Sequence, residues 1–471
     1  MKPLCFLSET DVESIHQATM RILGEIGVIL NHAGARQMLM DLGATVKNDR
    51  LLLPPELVED CLAKCPSQVS LIGRGAKSSV LGDGALHFHN LGGARDIYDP
   101  NTNQKRFATL QDLRDATRLL DALDHCTSIT PFYTPIDVPG ELMSIAMYCE
   151  AIPHTTKPLH GPGLQTAPEV RAVVRLAEVV GDPGRNLTIS VSPVSPLTFL
   201  DHEVEAILEI ARQGIAFGPL PCPTGGTTAP CSISGAIAQQ NAEVLASLVL
   251  AQTVRPGLPI FYCGRLAMME PRSGISVWGG PELGLASAGT VQMAHRYGLP
   301  VDVYGFSTNS VQTDVQNGFE RALNAAIPAL AGADELSGIG EMEAGVMGSL
   351  AQMVLDNEFA GSIQRLRKGF ATDDQALAVD VLAEIMNGSR NFLAEKHTVR
   401  YLRSGEISVA KLAERSSWDA WEKGGKLNMY QRAQAEAEKI LHQSQVPPLE
   451  DAQNKELDRI MASAAKQLVK K

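Results

Sequence analysis

The sequence predicts an α/β protein, a (β/α)8 TIM barrel with an N-terminal helical layer and a C-terminal helical extension. Three observations predict it. From residue 84 onward short apolar segments end in Gly, Pro, Ser or His; stretches of helical periodicity separate them; and the alternation repeats eight times over roughly 250 residues, the size of a closed barrel. An open nucleotide-binding sheet lacks its signature here, because no GxGxxG opens a helix after the first segment and no GxxxxGK[ST] occurs.

In chain order, residues 8 to about 80 read as a helical layer, with Ser8 as N-cap and Asp11 closing a capping box ahead of Ile15, Met20 and Leu23. PPELVEDCLAKCP opens a second helix with proline in its first turn. The eight expected strands are 85–92, 127–133, 157–163, 187–193, 214–221, 259–264, 300–306 and 329–340. Between them LQDLRDATRLLDAL, APEVRAVVRLAEVVG, FLDHEVEAILEIARQG, ISGAIAQQNAEVLASLVLAQTV, GPELGLASAGTVQMAHRYG and NGFERALNAAIPAL are long enough for crossovers. After 345 the chain turns helical again, and its charged, alanine-rich tail reads equally as an exposed helical end or an interaction surface. The expected organisation is thus 1–80, 81–345 and 346–471.

Composition narrows the function. The 471 residues are 44% hydrophobic and 20% charged with a formal charge of -12, which disfavours nucleic acid or an anionic membrane as main partner. MKPLCFLSETDV has no long apolar run or small-residue cleavage site, so a cytoplasmic location is expected. Eight scattered cysteines imply no disulfide framework, and Cys61 and Cys65 have no nearby His to make a zinc site.

Barrel enzymes carry their chemistry at the C-terminal ends of strands. Those ends supply His89, Asn90, Phe132, Tyr133, His160, Ser192, Ser195, Thr224, Thr227, Arg265, Tyr304, Phe306, Glu341 and Glu343. His87-Phe88-His89 has metal-ligand spacing, but no carboxylate or third His stands at a later strand end, so a structural or substrate-binding role is expected. There is no GxSxG nucleophile. Tyr98, Tyr133, Trp278, Tyr304 and Phe306 fall near one expected mouth, where rings attract a cation that has no N–H to donate, although each ring alone reads as packing. The loop 225–228 suits an anion or simply precedes an N-cap at Ser232 or Ser234; His397 and Arg400 share a helical face that is ordinarily just solvated.

The stretches TDVQNGFERALNAAIPALAGADELSGIGEMEAG (313–345), SLAQMVLDNEFAGSIQRLRKG (349–369) and NFLAEKHTVRYLRSGE (391–406) resemble the trimethylamine methyltransferase (MttB) superfamily, in the branch without pyrrolysine that demethylates glycine betaine and related quaternary amines. The resemblance extends over almost the whole chain. It implies a corrinoid-dependent quaternary amine methyltransferase, which passes a methyl group to the Co(I) of a cobalamin-type corrinoid on a partner protein, with no tightly bound metal. Glycine betaine, proline betaine and carnitine are among the substrates it allows, and a homo-oligomer is expected. On that reading Phe132, Tyr133, Tyr304 and Phe306 face the trimethylammonium end, and His160, His397 and the 225–228 loop face a carboxylate. Gly225, Gly226, Thr227, Asp314, Gln316 and Glu341 fall on the corrinoid face, and no residue is assigned as catalytic beyond orientation and desolvation. Glu320 and Arg400 take mainly structural roles. Two other readings stay open: a metal- or Schiff-base-dependent barrel lyase, with Lys157 as its lysine, and a non-catalytic member that binds a betaine or docks a corrinoid protein.

Overall fold

In the computed structural model the described residues are 2–75, 78–99, 102, 104–161 and 163–468. Pro162, near the end of the expected third strand, lies outside them, as do 469–471 at the end of the tail.

Eight parallel segments close into a ring. His87–Asn90 bridges through His89 to Ser128, Ile129 bridges to Leu159, and Leu159 to Leu187 beside the strand Thr188–Val191. That strand pairs with Ala216–Pro219, which bridges through Phe217 to Ile260 ahead of Tyr262–Gly264. Val301–Tyr304 and Glu335–Ile339 follow, and Glu335–Ile339 pairs back onto His87–Asn90. Each lies within an expected segment; the eighth begins later than 329 because helix Val315–Ala331 runs on until Gly332 ends it in the left-handed region.

A helix follows every strand: Leu110–Ala122, Met143–Ala151, Ala167–Glu178, Asp201–Gln213, Ile233–Val254, Pro281–Arg296, Val315–Ala331 and Leu350–Lys368. Their starts are fixed locally. Thr109 with Asp112, and Thr166 with Glu169, form reciprocal capping boxes, and proline sits in the first turn of the third and sixth helices, where its missing N–H costs nothing. Met143–Ala151, in the second crossover, was not among the expected helices; almost all of its faces are apolar, so helical periodicity is faint. Leu350–Lys368 takes the place of the eighth barrel helix, and we propose that the barrel unit extends to about residue 368 rather than 345.

The N-terminal layer is mixed rather than purely helical. Ser8 and Asp11 do form the capping box of Glu9–Arg21, but Thr45–Lys47 and Arg50–Leu52 make a hairpin, and Val28–Leu30 joins it to Thr198–Phe199 of the barrel. Asn48 and Asp49 both have positive φ, the conformation a two-residue primed hairpin turn requires. Helices Glu9–Arg21 and Pro55–Ala63 pack on barrel helix Ile233–Val254, which is buried along most of its length. The tail helices lie on the barrel's outer wall: Met429–Gln443 against Leu350–Lys368 and Leu110–Ala122, and Asp451–Leu468 against Met143–Ala151 and Ala167–Glu178. Among the described residues, no helix is long and apolar enough to cross a membrane.

Candidate active site

Barrel interiors are usually filled by layers of Val, Ile and Leu. This one is polar. His160, from the third strand, stands 3.8 Å from Asp302 of the seventh and 3.5 Å from Glu335 of the eighth. His89, from the first, lies 3.3 Å from Asp302. Side chains from nearly opposite strands meet only inside the ring, so these four occupy its centre.

Period-two alternation carries the same faces upward. Above Asp302 comes Tyr304, and beyond Cys263 comes Arg265. The Arg265 guanidinium donates to Asp302 Oδ2 at 2.5 Å and to the Asp302 carbonyl at 2.8 Å, while lying 4.7 Å over the Tyr304 ring. Trp278 meets the same ring edge-on at 5.0 Å and 80°. Tyr304 and Trp278 are only half-buried. Cys222, after the fifth strand, is solvent-accessible, yet the protein around it pushes its thiol up to about 11. Exposed Cys222 and half-buried Tyr304 and Trp278 leave this end of the barrel open to solvent, and that opening is the recess.

The loops after the seventh and eighth strands are cross-tied. Glu320 accepts from the Thr308 hydroxyl at 2.5 Å, the Asn309 amide at 2.9 Å and the Gln316 amide at 2.9 Å. Asn309 in turn accepts from the Trp278 and Gly279 amides at 2.7 and 2.8 Å, and so holds Trp278 in place. A Cβ at Gly279 would stand 2.1 Å from the Glu320 carboxylate, so a larger residue there would push that carboxylate off its hydrogen bonds. Glu341 accepts from the Thr308 amide at 3.1 Å, and burial pushes its carboxyl up to about 7 against the pull of Arg321.

The expected site residues fall into separate places. Tyr304 lines the recess. His160 lies below it, with its Nδ1 against the Thr188 hydroxyl. Phe132 and Tyr133 are fully buried, 4.6 Å apart, against Gly348, where an added Cβ would stand 2.1 Å from Phe132. Phe306 stacks at 5.7 Å on Phe88, which faces away from His87 and His89 along the first strand. These three rings are not gathered with Tyr304 into one box. His397 packs on Tyr401 in a surface groove of about 590 Å³ lined by residues from 374–381 and 396–400, so it is not brought to His160. Tyr98 meets Tyr430 of the tail.

The other expected group shares one end of the barrel. Gly225, Gly226 and Thr227 form a turn after the fifth strand, with Thr227 and Thr228 amides donating to the Thr224 carbonyl rather than pointing at an open anion site. Asp314 caps Val315–Ala331, accepting from Asn317 at 3.1 Å, and Gln316 binds Glu320. Lys157 is buried at the opposite end and donates to the carbonyls of Leu120 and Leu123 at 2.5 and 2.8 Å, an anchor for a helix end that offers no free amine to a carbonyl substrate.

Sequence reasoning passed over Asp302 and Glu335 because it looked at strand ends. A detectable signal existed: an acid inside an otherwise apolar strand, PVDVYGF or ADELSG, is costly unless it is paired.

With this geometry in hand, comparison with known proteins is informative. The family model described as trimethylamine methyltransferase (MTTB) matches residues 1–468. A trimethylamine methyltransferase MttB of Desulfitobacterium hafniense (strain DSM 10664 / DCB-2) is 31% identical over 455 residues, 95% of this chain and 91% of the relative. A glycine betaine methyltransferase of Desulfitobacterium hafniense (strain Y51) is 29% identical over 471 residues, covering 98% and 97%. Among solved structures, the monomethylamine methyltransferase of Methanosarcina barkeri superposes with a TM-score of 0.54 at 12% identity, covering 93% of each chain, which speaks to the fold alone.

Proposed function

Because the chain belongs to the trimethylamine methyltransferase (MTTB) family and is a methyltransferase of methylated amines, we propose that it moves a methyl group from a small quaternary amine, a betaine, to the Co(I) of a corrinoid carried by a partner protein. The observation that carries this reading is the end-to-end similarity to a glycine betaine methyltransferase, in a chain that reads through with standard residues alone.

The geometry supports it. A quaternary nitrogen already bears the charge that makes the tertiary amine a leaving group. When the corrinoid supplies its electron pair to one methyl carbon, the C–N pair stays on nitrogen, and no proton has to be delivered. What remains for the protein is to hold the cation, orient one methyl outward and exclude water. The half-buried Trp278 and Tyr304 rings supply electron-rich surface at the recess. Arg265, 4.7 Å over the Tyr304 ring and paired with Asp302, braces that ring at the recess. Gly225 to Thr227, Asp314 and Gln316 surround the same end and form the proposed corrinoid face, whereas Glu341, expected there too, is buried behind it. Phe132, Tyr133 and Phe306 support the wall behind it. A homo-oligomer is part of this reading: Phe370, Leu393 and Val409 are 79%, 80% and 86% exposed, apolar side chains that self-association would cover.

The test is a panel of glycine betaine, proline betaine, carnitine, choline and trimethylamine, each mixed with the protein and chemically reduced cobalamin, with the spectral change to methylated cobalamin as readout. Turnover of a betaine is expected, with KM raised in Trp278→Ala and Tyr304→Ala. Demethylation of trimethylamine alone, or of no amine in the panel, would overturn the proposal.

A further inference from the structure

We propose that His89, His160, Asp302 and Glu335 form a closed four-ligand site for one divalent ion of the zinc class at the centre of the barrel. This goes beyond the methyl transfer, and it replaces the expectation that the chain holds no metal.

One ligand atom from each residue lies within 4.8 Å of the other three. In a tetrahedral site with bonds of about 2.1 Å, ligand atoms stand about 3.4 Å apart. The separations here are 3.3 Å for His89 Nε2 to Asp302 Oδ2, 3.8 Å for His160 Nε2 to the same oxygen and 3.5 Å for His160 Nε2 to Glu335 Oε2. Closing the set needs shifts of tenths of an ångström for these pairs. The residues are 4%, 1%, 0% and 0% exposed, so the site is walled by protein on all sides.

The outer contacts suit ligation. Each imidazole turns Nε2 to the centre and has its Nδ1 against a threonine hydroxyl, His89 against Thr130 at 3.3 Å and His160 against Thr188. That is the arrangement that fixes a ligating histidine's ring and tautomer. Asp302 turns Oδ2 to both imidazoles, and the same oxygen accepts from Arg265 at 2.5 Å and Cys263 at 3.1 Å, so it would be shared between the ion and the guanidinium. Glu335 gives Oε1 to the Ser128 hydroxyl at 3.1 Å. Its Oε2 is buried with no hydrogen-bond partner among the described residues, and it points toward His160. A buried carboxylate oxygen left open beside two oriented imidazoles calls for a cation. Arg265 already balances Asp302, so the ion's charge answers Glu335.

Four protein donors leave no open position, which makes the site structural rather than a Lewis acid. The ion would take over the task that an apolar layer performs in other barrels: tying the first, third, seventh and eighth strands across the ring.

The experiment uses the full-length protein, stripped with a chelator under mild denaturation and refolded with Zn2+ or Co2+ alone. The expected result is one metal per chain by elemental analysis, visible absorption of tetrahedral Co2+, and a higher Tm with Zn2+ than without. Glu335→Gln, which keeps shape and Ser128 contact, should abolish stoichiometric loading. Thr188→Val should weaken affinity by about 10- to 100-fold. His202→Ala, exposed on the outer surface, should load fully. Refolded wild type that binds no stoichiometric metal, or Glu335→Gln that binds as wild type does, would overturn the proposal. The outcome is separable from methyl transfer, since it is read without any amine or cobalamin.

Discussion

Arg321 is the largest fully buried side chain, and its neighbourhood shows what single residues contribute. It donates to Asp356 at 2.9 Å, to Asn317 at 2.8 Å, to the Phe306 carbonyl at 2.5 Å and to the Glu341 carbonyl. It therefore ties the ends of the seventh and eighth strands to helices Val315–Ala331 and Leu350–Lys368. Despite Arg321, burial raises Asp356 to about 6 and Glu341 to about 7, because desolvation outweighs the one cation available. A carboxyl whose folded pKa lies above its unfolded one favours the fold when protonated. That contribution is complete below about pH 4 and is lost as pH rises toward 7. Glu341→Gln should accordingly flatten the fall in Tm between pH 5 and pH 8, as read by thermal melts across that range; a slope equal to wild type would mean the carboxyl is solvated. Arg321→Met should cost about 3–5 kcal/mol in denaturant titration, because it strands Asp356 without its partner. Gly348→Ala drives a methyl into the Phe132 ring, and overpacking of this kind costs about 1–3 kcal/mol.

At the scale of elements, the start of the first barrel helix depends on a small charged knot. Thr109 caps the helix and Asp112 returns the bond, while Arg106, on the strand Gln104–Phe107 that pairs antiparallel with Asp96–Asp99, donates to both Asp112 and Asp99. Thr109→Ala should destabilise the protein by about 1 kcal/mol, seen as a lower denaturation midpoint with unchanged slope. The knot also explains what was legible. Strand and helix positions follow from hydrophobic period, and each of the eight strands lies within a segment picked out by apolar residues stopping at Gly, Pro, Ser or His. The hairpin at Thr45–Leu52 was hidden because its strands are three residues long, leaving only the Asn48-Asp49 pair as signal. The rim rings were harder. Phe132, Tyr133 and Phe306 end strands just as Tyr304 does, but which face a ring takes depends on register, and register at a strand's last residue is set by pairing that the sequence does not display. Asp302 and Glu335 stand opposite one another in the paired seventh and eighth strands, and their side-chain partners Arg265 and Ser128 are 37 and 207 residues away in sequence.

For the whole molecule, the tail decides how the barrel wall is finished. It reads in sequence as either a solvated end or an interaction surface, and its charged face is compatible with both. In the structure Leu457, Ile460 and Ala464 are buried against the second and third barrel helices. The connection is anchored at several points: Arg118 donates to the Leu441 carbonyl at 2.7 Å, Arg74 to the Pro447 carbonyl at 2.7 Å and Gln453 to the Val179 carbonyl at 2.9 Å. The tail is thus an outer stave over two helices whose apolar faces would otherwise meet water. Ending the chain after residue 446 removes Leu457 and Ile460, each worth about 1.5–3 kcal/mol of burial, so a loss of about 3–6 kcal/mol is expected. The recess and interior residues sit on strands and loops rather than on the two helices this tail covers, so the loss should be one of stability and not of site geometry. The shortened protein should melt earlier and bind a hydrophobic dye, while keeping the Tyr304 and Trp278 recess and, at a temperature where it remains folded, its methyl transfer to cobalamin. A truncated chain that melts with the full-length protein would mean the tail leaves the wall in solution, and one that stays folded but loses activity would tie the tail to the site instead.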